Sequence, residues 1–312
     1  MTQSRNAGRR VIVSSIVRRL RRLAAIVVLG IAIDAVFLAE FAVHGWARRQ
    51  PDPAEADEVA QAASATWQSM QIAAADGAPL SAWLFTPRSP NGSAVILLHG
   101  VNDTRRGVRY HAIYLLQAGF TVLAPDSRGH GASGGDVLTY GIREASDIHA
   151  WADALFRTGH IERLYGLGES MGAAILLESL PREPRFRAVV AECPFATFEQ
   201  IAYYRLEHVS HLGRWASWPV AQTSFLYVRL RYGVDLQQAS PAAAIRSTQV
   251  PILLIHGARD VNIPPSHSGT LHALNPQATR LWLVPGAAHV RASIECHDEF
   301  VRRVVEWFRS HP

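Results

Sequence analysis

The chain has 312 residues, of which 48% are apolar and 18% are charged, a balance that excludes wholesale disorder and allows a large buried core. Its net charge of +5 is uneven: residues 1–49 hold nine arginines against Asp34 and Glu40, whereas the other 22 arginines face 24 acidic residues. Because the larger part of the chain is near neutral, we expect no nucleic-acid partner.

An arginine-rich start and an apolar run make up the first 43 residues. The run over 23–43 is interrupted only by Asp34 and Glu40, and as a helix it would be about 31 Å long, enough to cross the hydrocarbon core of a bilayer. The mid-span carboxylate of Asp34 opposes insertion by about 2.5–3.5 kcal/mol, which the surrounding apolar side chains can offset. We therefore predict a single-pass transmembrane signal anchor over 23–43.

The charges around this run predict its orientation. Arginines concentrated before residue 23 favour a cytoplasmic N-terminus over 1–22, so that the rest of the chain would be periplasmic in a Gram-negative cell. Two alternatives stay open: a cleaved signal peptide, for which 45–47 is a poor cleavage site, and a soluble amphipathic helix. The polar residues over 44–67 are predicted to form a linker.

Strand and helix patterns alternate over residues 68–312. A hairpin is predicted at Asp76-Gly77, a strong turn signal between apolar stretches. The alternation after it predicts an α/β protein with a doubly wound, mostly parallel sheet, whose functional groups lie at the carboxyl ends of the strands. Strands are predicted in SAVILLHG, FTVLAP, ERLYGLG, RAVVAE, VPILLIHG and TRLWLVPG, and helices in RYHAIYLLQAGF, GIREASDIHAWADALF, MGAAILLESL and IECHDEFVRRVVEWFRSH.

The segment LYGLGESMGAAILLE places a serine on a predicted strand-to-helix turn. The pattern Gly168-Glu169-Ser170-Met171-Gly172 is too short to be specific alone, but a strand before it and a helix after it are the context of a nucleophile elbow. Side chains at 168 and 172 would collide with the strand and the helix of so sharp a turn, which explains the two glycines. The turn would raise the Ser170 hydroxyl beside a helix N-terminus.

A serine nucleophile needs a base and a carboxylate. His289, in LVPGAAHV, follows the last predicted strand, and Asp260, in LLIHGARDVNIP, follows the strand before it. The order Ser170, Asp260, His289 is the serine–acid–histidine order of one known fold. Glu192, at the end of the strand RAVVAE, is the rival acid.

An oxyanion in such a site needs two N–H donors. The backbone N–H of Met171, directly after the serine, is the first. The second is expected from the loop after VILLHG, where Val101 is our prediction and Asn102 is the alternative.

Five segments in this order, LLHGVNDTR, DSRGHGASGG, GESMGAAILL, HGARDVNIP and PGAAH, resemble the α/β-hydrolase superfamily over about 68–312. Within it, the chain is similar to membrane-anchored bacterial serine hydrolases of the group that includes Bem46-like and serine-aminopeptidase-like proteins. The resemblance implies no metal or organic cofactor, and a small helical lid over about 197–245. It assigns the nucleophile to Ser170, the base and acid to His289, the orienting carboxylate to Asp260, and the oxyanion hole to Val101 and Met171.

The lid segment is rich in aromatic residues that are candidates for lining an acyl pocket, although each can instead pack the lid onto the sheet. These residues are Tyr203, Tyr204, Trp215, Trp218, Phe225 and Tyr227.

The two cysteines, Cys193 and Cys296, are far apart in sequence; free thiols are favoured, and a disulfide stays open.

The predicted function is hydrolysis of an ester in a small acyl substrate through an acyl-enzyme. An aminopeptidase or amidase on the same residues is the first alternative; it would need an acidic cluster in the lid, where Glu199 and Glu207 form no obvious one. The second alternative is a catalytically idle fold that acts as a membrane-tethered binding protein. The substrate and the oligomeric state stay open.

Overall fold

The computed structural model describes residues 2–44, 50–208 and 213–312. Within them, one sheet contains eight strands: β1 (Ala65–Ala73), β2 (Pro79–Pro87), β3 (Ser93–Leu98), β4 (Thr121–Pro125), β5 (Arg163–Glu169), β6 (Phe186–Glu192), β7 (Ile252–Gly257) and β8 (Thr279–Val284). Their spatial order is β1-β2-β4-β3-β5-β6-β7-β8. The pairs β1/β2 and β2/β4 are antiparallel and the other neighbouring pairs are parallel, which confirms the predicted sheet.

Helices connect the strands and cover both faces of the sheet. They are α1 (Thr2–Val43), α2 (Pro53–Ala62), α3 (Arg109–Gln117), α4 (Glu144–Phe156), α5 (Met171–Ser179), α6 (Phe198–His208), α7 (Gly213–Tyr232), α8 (Pro241–Ala244), α9 (Ser266–Leu274), α10 (Ala292–Glu295) and α11 (His297–Arg309). Short 3-10 turns cover Leu236–Gln238 and Ile245–Ser247.

Strand β3 explains why the predicted central strands read as continuous apolar runs. Ala94, Ile96 and Leu98 belong to the core on one face, whereas Val95 and Leu97 belong to the core on the other. Successive side chains of a strand point to opposite faces, so a strand covered on both sides needs apolar residues at every position.

The region expected to be a linker, 44–67, contains a helix. In α2, Pro53 occupies the first turn and Asp52 Oδ1 accepts a hydrogen bond from the Ala54 N–H (3.0 Å), a regular helix start. Val59 is buried in one of the two cores, and β1 begins before the expected domain start at 68. The remainder of that region, 45–49, lies outside the described residues, and so does the cleavage site weighed above.

Helix α1 contains the expected span 23–43. By length and composition, its part Ser15–Val43 can cross a membrane, with a mean hydropathy of 2.4 in an 18-residue window. Its C-terminal end is docked on the rest of the protein, where Ala35, Ala39 and Val43 are buried at four-residue spacing. The helix therefore has an exposed apolar part and a packed end.

The expected lid over 197–245 includes α6, α7 and α8, while 209–212 lie outside the described residues. Helix α7 runs parallel to the end of α1: Ser224 Oγ–H donates to the Ala35 carbonyl (2.9 Å), and farther along both helices Tyr232 O–H donates to Glu40 (2.8 Å). Tyr227 O–H donates to the same carboxylate. Glu40, an interruption of the apolar run in the sequence, thus joins α1 to the lid.

Candidate active site

Ser170 lies on the turn between β5 and α5. Its backbone is in the left-handed region, with φ 54° and ψ −113°, which is rare for a residue with a side chain and typical of strained functional turns. Its N–H donates to the Glu192 carbonyl at the end of β6 (2.8 Å), which fixes the turn to the neighbouring strand. The structure thus contains the strand-turn-helix context predicted for a nucleophile elbow.

The two glycines of the elbow are required by close backbone approaches. A Cβ on Gly168 would lie 2.5 Å from the carbonyl carbon of Gly172. A Cβ on Gly172 would lie 2.6 Å from the carbonyl oxygens of Leu98 and His99. Such distances are far below ordinary contact, so β5, α5 and the end of β3 can meet only if both positions lack a side chain.

The three residues predicted from separate loops come together in one hydrogen-bond chain. Ser170 Oγ–H donates to His289 Nε2 (2.9 Å), and His289 Nδ1–H donates to Asp260 Oδ2 (2.6 Å). Because the ionised carboxylate can only accept, it requires the proton on Nδ1 and leaves Nε2 as the acceptor facing the serine. This is the arrangement needed for proton transfer from Ser170 to His289.

Asp260 is held in its ionised form by several donors. Its Oδ1 accepts from the N–H groups of Asn262 (2.8 Å) and Ile263 (2.9 Å). Burial raises the pKa of Asp260, but hydrogen bonds from His256 and then from His289 outweigh it and hold that pKa well below its ordinary value. His256 contacts the acid directly, with its Nε2 3.2 Å from Asp260 Oδ2.

The predicted oxyanion donors flank Ser170. Val101, Asn102 and Met171 line the same cavity as the serine, and a Cβ on Gly100 would lie only 3.5 Å from the Ser170 Cβ. Asn102 has φ 60°, so the loop turns sharply there. This placement is compatible with either Val101 or Asn102 as the second donor, and the oxyanion assignment stays a prediction.

His99 holds this loop in place. Its Nδ1–H donates to the Gly100 carbonyl (2.8 Å), while its Nε2 accepts from the Ser127 N–H (3.0 Å). Burial lowers the pKa of His99 to about 4, so the ring is neutral and one nitrogen remains an acceptor. His99 therefore joins the loop after β3 to the loop after β4.

Glu192, the rival acid, lies behind the elbow and not on His289. Its Oε1 accepts from the Ala292 N–H (3.2 Å), and its Oε2 has no hydrogen-bond partner among the described residues. Nearby, His111 Nε2 lies 2.6 Å from Glu169 Oε1. Of the two candidate acids, Asp260 is the one whose carboxylate is hydrogen-bonded to His289.

Among the residues that the structure describes, two clusters have side chains of the types that bind metal ions. His111, Glu169 and Glu192 form one, and Cys193, His256 and Asp260 form the other. In the second cluster both ring nitrogens of His256 are already hydrogen-bonded, to Ser268 Oγ and the Ile263 carbonyl. Burial raises the pKa of the Cys193 thiol, which disfavours the thiolate that a metal requires.

Replacing Glu192 by glutamine is expected to reduce the pH dependence of stability. Burial, followed by the Glu169 carboxylate, raises the pKa of Glu192 from 4.5 to about 8. Since the folded state keeps a proton that the unfolded state releases, the free energy of unfolding falls between these pH values, by about 1 kcal/mol per pH unit. The Glu192→Gln variant lacks this loss, so its stability relative to wild type rises as the pH increases from 4.5 to 8.

Thermal unfolding of wild type and Glu192→Gln, in one detergent across this pH range, measures the difference. Glu306→Gln, at an exposed position on α11, is the matched control and is expected to show no such trend. A constant offset between Glu192→Gln and wild type at every pH would contradict the prediction.

A cavity of about 740 Å³ opens beside Ser170 and His289. Of the six lid aromatics expected to line an acyl pocket, Phe225 does so. Sequence reasoning missed Tyr140 and Phe195, which lie on the loops after β4 and β6, and Phe198, the first residue of α6. It also missed the end of α1. The α1 residues that line the cavity are Leu38, Ala39, Phe41 and Ala42, and His44, directly after the helix, lines it as well.

The other five lid aromatics have different positions. Trp215 and Trp218 point to the exterior, with Trp215 95% exposed. Tyr204 O–H donates to the Val261 carbonyl (3.1 Å), Tyr227 contacts Glu40, and Tyr203 accepts from Gln222. The alternative reading, that lid aromatics serve packing, holds for these two tyrosines of α6 and for Tyr227.

Both cysteines are free thiols in the structure, in agreement with the favoured expectation. Cys193, at the end of β6, is buried and has φ 52°, and Val290, next to His289, has φ 53°. Together with Asn102 and Ser170, these strained residues surround the cavity-facing edge of the sheet. Strain of this kind concentrates at functional sites.

Comparison with known proteins agrees with this geometry. A model of the prolyl oligopeptidase family matches residues 106–311. The uncharacterized protein YqkD of Bacillus subtilis (strain 168) is 30% identical over 223 residues, covering 70% of this chain and 71% of that protein. The uncharacterized protein YfhR of Escherichia coli (strain K12) is 25% identical over 281 residues, covering 87% and 85%.

Solved structures show the same fold. Esterase Pf2001 of Pyrococcus furiosus aligns with a TM-score of 0.67 and 25% identity, covering 81% of this chain and 95% of that chain. A puromycin-hydrolyzing peptidase of Mycobacterium tuberculosis aligns with a TM-score of 0.64 and 17% identity, covering 80% of this chain and 40% of that chain. The predicted resemblance is thereby confirmed: the chain belongs to the prolyl oligopeptidase family and is a serine hydrolase with the α/β-hydrolase fold.

Proposed function

We propose that the protein hydrolyses a carboxylic ester of an apolar acyl group, with Ser170 as nucleophile, His289 as base and acid, and Asp260 as the carboxylate that orients His289. One observation carries the proposal: the hydrogen-bond chain of these residues ends in a cavity of about 740 Å³ with mostly apolar walls. The solved structure of Pf2001, which shares the fold, is that of an esterase.

In the acylation step, Ser170 Oγ attacks the ester carbonyl carbon while His289 Nε2 takes the hydroxyl proton. The negative charge of Asp260 stabilises the imidazolium that forms, and its hydrogen bonds to backbone N–H groups keep it ionised. The carbonyl oxygen becomes an oxyanion that accepts from the N–H groups of Met171 and Val101. His289 Nε2–H then protonates the departing alkoxide, and the C–O bond to the alcohol breaks.

In the deacylation step, a water molecule takes the position left by the alcohol. His289 Nε2 accepts its proton as the water oxygen attacks the acyl carbon. The proton then returns to Ser170 Oγ as the acyl–enzyme bond breaks, and the carboxylic acid leaves through the cavity. The sequence of steps uses the same three side chains twice.

An aminopeptidase or amidase is the second candidate, because the matching family is named for a peptidase. A free substrate amine would need an unpaired carboxylate near Ser170. The acidic residues among the described cavity residues are Asp103 and Glu169. Glu169 is paired with His111, and Asp103 Oδ1 accepts a hydrogen bond from the Thr104 N–H (2.8 Å). Glu199, considered above for this role, binds Gln237 outside the cavity (2.7 Å). These contacts favour the ester substrate.

The N-terminal helix is proposed to anchor the enzyme in the membrane, with residues 50–312 on the periplasmic side. Its apolar composition and largely exposed surface support this role. Arginines before residue 23 support the orientation, since basic residues concentrate on the cytoplasmic side of a span.

Labelling with a fluorophosphonate probe tests both parts of the proposal. The probe is expected to label wild type and to leave Ser170→Ala unlabelled, with loss of ester hydrolysis by about a thousandfold or more. Ser133→Ala, at a serine on another loop, is the control and is expected to keep its labelling. A folded wild-type protein that takes no label would overturn the mechanism and favour the binding-protein alternative. A membrane-impermeant probe that fails to label intact spheroplasts, but labels lysed ones, would overturn the periplasmic location.

A further inference from the structure

The end of α1 forms part of the cavity that contains Ser170. Leu38 and Phe41 line this cavity together with Ser170 and His289, although they precede the elbow by more than a hundred residues. A helix that only anchored the enzyme would have no need to reach the site. The end of α1 therefore connects the apolar N-terminal helix with the cavity in which Ser170 lies.

The exposed face of α1 has a stripe of apolar side chains. Leu29, Ile33, Phe37 and Phe41 follow one another at four-residue spacing and are 60%, 59%, 67% and 48% exposed. Side chains four residues apart lie on one face of a helix. This apolar stripe thus begins in the part of α1 that can lie in a bilayer and ends at Phe41, which belongs both to the stripe and to the cavity.

The cavity wall is fixed in place by polar contacts. The Tyr140 O–H, itself from a cavity-lining residue, donates to the Ala42 carbonyl (2.7 Å). The Leu138 N–H donates to the Val43 carbonyl (2.8 Å). With Glu40 accepting from two lid tyrosines, the last turns of α1 are held from two sides. These contacts keep the end of α1 in a fixed position as a wall of the cavity.

We propose that the substrate is a long-chain acyl ester resident in the membrane, whose chain moves along the α1 stripe and lies against Leu38 and Phe41 while its carbonyl reaches Ser170. This inference rests on the esterase function proposed above. Apolar contact along the whole path keeps the chain out of water, because one end of the stripe faces lipid and the other end faces the cavity. Leu38 and Phe41 then determine acyl-chain length.

The test compares two esters that share one leaving group, p-nitrophenyl acetate and p-nitrophenyl palmitate. The enzyme, with α1 retained, is assayed in lipid vesicles. Phe41→Ala removes a wall and Leu38→Trp fills the cavity. Each is expected to lower the palmitoyl-to-acetyl ratio of kcat/KM by about tenfold or more. The matched controls Leu230→Ala and Leu226→Trp change exposed residues of α7 that lie neither on the stripe nor in the cavity wall, and both are expected to keep the wild-type ratio.

Fluorophosphonate labelling of Ser170 in every variant shows that the site is folded. An unchanged palmitoyl-to-acetyl ratio in both wall variants would overturn this inference, and so would a wild-type enzyme that hydrolyses the acetyl ester alone. In both cases the proposed esterase function would stand. A folded, labelled wild type that hydrolyses neither ester would instead contradict the esterase function, and the inference would fail with it.

Discussion

Replacing Asp260 by asparagine is expected to lower kcat/KM by about 10³- to 10⁴-fold, although the site keeps its shape. The reason lies in the two N–H donors, Asn262 and Ile263, which require an oxygen at the Oδ1 position. The asparagine amide must therefore place its NH₂ group toward His289. This group donates to Nδ1, so the imidazole carries its proton on Nε2 and can no longer accept the proton of Ser170.

The rate of fluorophosphonate labelling and the rate of ester hydrolysis both measure this effect. Glu192→Gln, at the rival acid, is the comparison and is expected to change these rates by only a few-fold, because Glu192 bonds the Ala292 N–H. Equal losses in both variants would contradict the assignment. A large loss in Glu192→Gln alone would transfer the orienting role to Glu192.

Replacing Gly172 by alanine is expected to produce the largest loss of stability. The new Cβ would lie 2.6 Å from the carbonyl oxygens of Leu98 and His99. Both neighbours are backbone atoms of β3 and the loop after it, so no side-chain rotation can relieve the overlap. We expect a loss of about 3 kcal/mol in the free energy of unfolding, which corresponds to a fall of roughly 6–12 °C in the melting temperature.

Gly269→Ala is the matched control, because Gly269 also lies in a helix but has no atoms within 4 Å of a Cβ position. This substitution is expected to stabilise the protein by up to about 1 kcal/mol through helix propensity alone. Thermal unfolding of the two variants in one detergent separates the two effects. A Gly172→Ala protein that melts at the wild-type temperature would show that the backbone around the elbow can move.

The sequence predicts the elbow, the base and the acid because each depends on local chemistry. A turn at Ser170 needs glycines beside it, and a proton acceptor must follow a strand that ends at the same edge of the sheet. Parallel strands bring their carboxyl ends together whatever lies between them in the chain. For that reason Asp260 and His289 could be placed near Ser170 before any distance was known.

The walls of the cavity could not be predicted in the same way. Whether a lid aromatic such as Trp215 or Phe225 faces the site depends on which helix packs beside α7, and that helix is α1, nearly two hundred residues earlier. Periodicity identifies an apolar face but does not name its partner. The same limit explains why Phe195 and Phe198 were missed.

Helix α2, unlike the cavity walls, could have been predicted, because the sequence contains a helix-start pattern. Asp52 before Pro53 is a regular helix start, and Ala56 and Val59 lie on one face of the segment that follows. The many acidic residues of this segment favoured a linker instead. A short apolar face is enough for a helix when a core is available to receive it.

The dependence of the lid on α1 has a practical consequence for purified enzyme. A soluble fragment that starts after His44 would leave the hydroxyls of Tyr227 and Tyr232 without their acceptor and would open one side of the cavity to water. Such a fragment would expose an apolar groove through which it can aggregate. Its substrate specificity would differ from that of the protein with α1, because one wall of the cavity would be missing. Inhibitor and substrate libraries should therefore be screened against enzyme that retains α1, in lipid.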